Sequence, residues 1–151
     1  VFPVSDNEIW GSASWFGPKY ASALFAGVRI GPKGKLHTGT AAMAWFSYGP
    51  GTIGKCRGPW DDVKDRYLGL KFRAKDGLHY GWARLNVTCS ISRRKATGTL
   101  TGYAYETIPG KSIIAGKTKG PDVITVQPAS LGRLAQGASG ISAWRKTGES
   151  R

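Results

Sequence analysis

Residues 66–88 read RYLGLKFRAKDGLHYGWARLNVT, and their alternation decides the fold class. Successive side chains of a strand point to opposite faces. A strand over 66–73 sets Leu68, Leu70 and Phe72 on one face and Tyr67, Gly69, Lys71 and Arg73 on the other. Asp76-Gly77 follows, a dipeptide that takes the positive φ angles of a tight hairpin turn. A strand over 78–88 then puts His79, Gly81, Ala83, Leu85 and Val87 on one face. Tyr80, Trp82, Arg84 and Asn86 fall on the other.

Working outward, a basic hairpin loop at Arg93-Arg94-Lys95 leads to a third strand over 97–108, TGTLTGYAYETI, with Tyr103 and Tyr105 on the face of Thr99 and Thr101. Upstream, ALFAGVRI (23–30) alternates with Leu24, Ala26, Val28 and Ile30 on one side, and AAMAWFSY (41–48) reads as a buried strand. A short strand is expected from Ile9 to Phe16, and 49–65 reads as a long polar loop. Downstream, Ile113-Ile114 and Val123 to Val126 are short strands. Leu131 and Leu134 stand at helical spacing, so one short helix is expected over 129–136.

Glycine, at 22 residues, repeatedly sits beside proline, which marks frequent turns between short apolar runs. The expected fold is all-β: an antiparallel β-sandwich, jelly-roll-like, with one short C-terminal helix. The 151 residues form a single domain, whose termini could be exchanged with neighbouring subunits. No stretch is long and apolar enough to span a membrane as a helix. The chain begins at Val1 without a signal-type segment, so a processed form or a fragment is expected.

The net charge of +13 favours polyanionic partners such as acidic polysaccharide or extracellular DNA, or else keeps a surface self-repelling. The two cysteines, Cys56 and Cys89, fit one disulfide of an exported domain. They lie in no zinc pattern, and no metal or cofactor is expected.

The stretches RYLGLKF, LHYGWARLNVT and GTLTGYAYETIPGKSIIAG resemble a family of exported bacterial β-sandwich proteins of undescribed function, many with a sorting tail of the PEP-CTERM type. The motif is His79-Tyr80-Gly81-Trp82-Ala83-Arg84, followed by Tyr103 to Glu106 and Ile113 to Gly116. The resemblance covers roughly 20–116 and implies export and a sandwich, with no catalytic residues to carry over. The tail PASLGRLAQGASGISAWR lacks the apolar span and basic end of a sorting signal.

Tyr80, Trp82, Tyr103 and Tyr105 with Arg84 are the candidate ligand face. Flat rings stack on sugars, and a guanidinium bonds hydroxyls or carboxylates; cross-strand packing is the default alternative. Arg93, Arg94 and Lys95 are candidate polyanion contacts, or a solvated loop. Asp61, Asp62 and Asp65 carry the oxygen type that calcium takes, but without a calcium loop's spacing. His79 reads as a satisfied core histidine, and no catalytic motif is present, so no enzyme is expected. The first functional expectation is an exported, extracellular structural protein that self-associates into a filament or matrix, with VFPVSDNEIW or VITVQPAS donated to a neighbour's sheet edge. The second is a secreted binding module for acidic polysaccharide, glycan or DNA.

Overall fold

The computed structural model describes residues 7–12, 19–49, 52–118 and 123–126. In chain order the strands are β1 (Glu8–Ser12), β2 (Tyr20–Ala21), β3 (Arg29–Ile30), β4 (Leu36–His37), β5 (Trp45–Gly49) and β6 (Thr52–Arg57). They continue with β7 (Val63–Ala74), β8 (Gly77–Ser90), β9 (Lys95–Glu106), β10 (Ile113–Ile114) and β11 (Val123–Val126). The chain is all-β with antiparallel sheets, and no helix occurs among the described residues. The helix expected over 129–136 lies outside them, as does the part of the first expected strand beyond Ser12, up to Phe16.

The frame is the meander β7–β8–β9. Ala74 pairs with Gly77 across a two-residue turn, Lys75-Asp76, and Gly77 enters β8 at φ 146°, a value that suits glycine. The sheet extends in the order β11-β9-β8-β7-β1-β2, with β4 also on β1. Among the described residues there are also two small sheets, β3 with β10 and β5 with β6.

Both faces of the central sheet are buried. Leu70 pairs with Gly81 and Ile9 with Leu70, so Ile9, Leu68 and Leu70 share the face of Gly81 and Ala83. This face packs with Ala21, Ala41 and Trp60. The opposite face carries Tyr67, Tyr80, Trp82 and Ala104, which pack with Ile30, Ile113 and Ala115 of the β3–β10 region.

Two expectations are corrected here. Residues 23–30 form a strand only at Arg29–Ile30, because the chain turns at Ala26-Gly27 with Gly27 at φ 89°. Leu24 instead exchanges two backbone hydrogen bonds with Tyr67, each 2.9 Å, while Leu24, Val28 and Ile30 still reach one cluster. The segment 49–65 is not a polar loop throughout. Thr52–Arg57 pairs with β5, setting Trp45 opposite Arg57 and Phe46 opposite Cys56. Trp60, beyond it, is 0% exposed and donates from Nε1 to the Ala21 carbonyl at 2.9 Å.

Candidate functional site

The aromatic quartet does not make one face. Gly81 pairs with Tyr105, Trp82 with Ala104 and Ala83 with Tyr103. Tyr103 and Tyr105 therefore stand on the side opposite Tyr80 and Trp82. Trp82 is 3% exposed, meets Tyr67 edge-on at 5.1 Å, and buries its Nε1 without a hydrogen-bond partner. Tyr105 packs edge-on against Phe72 at 5.6 Å. Tyr80 and Trp82 belong to a buried cluster on one face, while Tyr103 and Tyr105 are half-buried on the other. Arg84 is engaged as well: its Nε donates to Thr101 Oγ1 at 2.9 Å and its Nη2 to the Thr101 carbonyl at 3.1 Å. It thus spans the irregularity where the β8–β9 register shifts between Arg84 and Leu85.

Cys56 and Cys89 form a disulfide with Cα atoms 6.2 Å apart, tying the β5–β6 hairpin to β8. Potential ligand atoms of Cys56, Cys89 and Asp61 lie within 4.8 Å of one another, but the bridge removes both sulfurs from metal ligation. The neighbouring carboxylates have separate partners. Asp62 Oδ1 accepts from the Cys89 amide at 2.6 Å, and Asp65 Oδ1 lies 3.8 Å from Arg84 Nε. Arg93, Arg94 and Lys95 are exposed at the β8–β9 turn, with Arg94 at φ 50°.

His79 is 2% exposed. Its Nδ1 lies 2.8 Å from the Glu106 carbonyl oxygen and its Nε2 2.9 Å from Asp76 Oδ1. Both partners only accept, so both ring nitrogens donate when the imidazole is protonated. The Glu106 carbonyl, reinforced by Asp76 and opposed by burial, holds the His79 pKa above its ordinary value. The hydrogen bond from His79 holds Asp76 below the usual carboxylate value.

The stabilisation from His79 is complete below its unfolded pKa of about 6.5 and disappears as pH rises through the raised folded value. That from Asp76 is present above about 3.9 and disappears as pH falls through its lowered folded value. Melting temperature is therefore expected to be highest in mildly acidic solution. A pH series on His79→Gln should lose the fall seen on the alkaline side.

Two further features were not visible in the sequence pattern. First, Val123–Val126 pairs only with Tyr103–Glu106, so Lys95–Gly102 of β9 has a neighbour on the β8 side alone among the described residues. Residues 91–100 are all exposed, Leu100 at 42%. Second, a cleft of about 310 Å³ opens between Trp10, Arg29, the turn Gly31–Gly34 and Ser112. The turn closes through a 2.9 Å bond from the Gly34 amide to the Gly31 carbonyl. A side chain at Gly34 would collide with Trp10 Cζ3, and one at Gly31 with Ser112 Oγ, so glycine lets the turn lie against both. The sequence does hold one trace of this cleft: no Asp or Glu occurs between Glu8 and Asp61, while Lys19, Arg29, Lys33, Lys35, Lys55 and Arg57 do.

Comparison with family models, with curated protein sequences and with solved structures gives no match.

Proposed function

We propose that the chain is a structural subunit that associates with copies of itself, and that the outer edge of β9 over Lys95–Gly102 is the contact. One observation carries this reading: Val123–Val126 pairs with Tyr103–Glu106, and the outer edge of β9 over Lys95–Gly102 has no neighbour among the described residues, with residues 95–100 all exposed. A row of unpaired backbone donors and acceptors is a template for another strand.

The occupant is the same edge of a second copy, because ATGTLTG (96–102) is nearly self-complementary when read antiparallel. Pairing centred on Thr99 sets Thr97 opposite Thr101 of the partner subunit and Leu100 opposite Gly98 of the partner subunit. Facing threonines favour such a pair, and glycine leaves room for the leucine. The basic tips do not oppose it. Antiparallel pairing would hold the two Lys95 residues roughly 27 Å apart at ~3.4 Å per residue, beyond a Debye length of about 8 Å.

A two-fold contact of this kind closes at a dimer, so a filament or matrix needs a second contact. The segments expected to be donated to a neighbour are engaged within their own chain, Glu8–Trp10 with β7 and β4 and Val123–Val126 with β9, which argues against strand donation by them. Residues 1–6 lie outside the described set. In the proposed reading the β3–β10 sheet is the second layer of a sandwich-type fold. The disulfide supports an oxidising compartment, such as the extracellular location this reading requires.

Sedimentation velocity across a concentration series tests the contact. The native chain is expected to form dimers, and Leu100→Lys, which brings like charges together about the two-fold axis, to weaken association about tenfold, or 1.4 kcal/mol. Thr99→Pro should act in the same direction. A native chain that stays monomeric, or unchanged association in Leu100→Lys, overturns the proposal.

A further inference from the structure

The cleft beside Trp10 stands apart from the β9 edge and does not depend on it. Its wall is the half-buried Trp10 indole, which packs against the core cluster of Tyr67 and Trp82. Trp10 Cβ lies 2.8 Å from where a Cβ on Gly69 would stand, so the indole is seated directly on the sheet. Arg29 and Lys33 stand exposed at the rim, and Ser112 adds a hydroxyl.

Neither cation forms an ion pair among the described residues. The carboxylates that form ion pairs among the described residues, Glu8, Asp65, Asp76 and Glu106, engage Lys71, Arg84, His79 and Lys111. Lys35, next along the chain, extends the same positive field. The arrangement combines an aromatic wall, one guanidinium that can hold a carboxylate through two parallel bonds, and one ammonium.

A volume of about 310 Å³ is at the small end of ligand pockets, enough for one ring and too small for a duplex. A bare phosphate would leave the indole wall unused. A ring that carries a carboxylate uses the wall and the cations together.

We infer that this cleft binds one hexuronate residue of an acidic polysaccharide, with the pyranose against Trp10 and the carboxylate between Arg29 and Lys33. The polymer's other residues would run outward over the acid-free segment that supplies the cleft.

Titration calorimetry with a short oligogalacturonate is the test, using the full chain. Arg29→Ala/Lys33→Ala removes only exposed side chains and is expected to lower affinity at least tenfold. The methyl-esterified oligomer, which keeps the ring and loses the charge, should also bind at least tenfold more weakly. Arg93→Ala/Arg94→Ala/Lys95→Ala, which removes more charge at the far tip of β8–β9, should leave affinity within about twofold if site and not net charge decides. Circular dichroism of each variant confirms that it is folded. The inference is overturned if the native chain does not bind the oligogalacturonate. It is also overturned if the tip variant loses as much affinity as the cleft variant, or if single-stranded DNA of equal charge displaces the sugar equally well.

Discussion

Trp60→Ala is expected to lower the free energy of unfolding by about 3–5 kcal/mol, the usual cost of emptying a large aromatic from a close-packed interior. Trp60 is fully buried, in one cluster with Ile9, Ala21, Ala41, Leu68 and Val87. Its backbone amide donates to the Met43 carbonyl and its indole to that of Ala21, so one residue ties the stretch after β6 to β2 and to the segment that leads into β5. Small domains have only about 5–15 kcal/mol in total. Equilibrium denaturation in urea measures the loss. Trp60→Phe separates its two parts, because it keeps most of the ring and removes the N–H donor; it should cost less than the alanine variant. A Trp60→Ala chain with native stability would mean that this side chain does not hold the hairpin region to the sheet.

Removal of the Cys56–Cys89 bridge is expected to cost about 3–4 kcal/mol, because a closed loop of 33 residues restricts the unfolded chain. Cys56→Ser/Cys89→Ser compared with the native chain in guanidinium gives the difference, and a reductant added to the native chain should reproduce it. The first region to loosen should be β5–β6, which among the described residues pairs only with itself and is attached by the bridge, by Trp60 and by the stack of Trp45 on Tyr20. Limited proteolysis of the reduced chain would then cut between 45 and 57 before cutting the meander. The two losses should not add, since both changes release the same segment.

The meander β7–β8–β9 was legible because three long strands alternate strictly and the intervening turns are short. The placement of the tyrosines was not. Alternation fixes which residues of one strand share a face, but the phase between strands depends on register. Here the register sets Tyr105 beside Gly81 and not beside Trp82, and the irregularity after Arg84 shifts the pairing again. The burial pattern read in residues 23–30 holds for Leu24, Val28 and Ile30 but fails at exposed Ala26, since Gly27 permits a turn there that alternation does not reveal. In β6 the inward positions are Gly54 and Cys56, too small to register as an apolar run, between exposed Lys55 and Arg57. The cleft was beyond reach for a different reason. Trp10, Arg29, Lys33 and Ser112 come from distant parts of the chain, and only the folded backbone brings them together.

The pairing of β1 also has a consequence for the growing chain. Ile9 has His37 on one side and Leu70 on the other. A ribosome makes β1 before either partner exists, and the meander strand that flanks it comes much later. The first of the described strands to be synthesised therefore meets β2 and β4 early, and its pairing at Ile9 is complete only when most of β7 has emerged. During that interval the nascent strand is paired at Ile9 along one edge and open there along the other, so whatever keeps it soluble must shield that open edge.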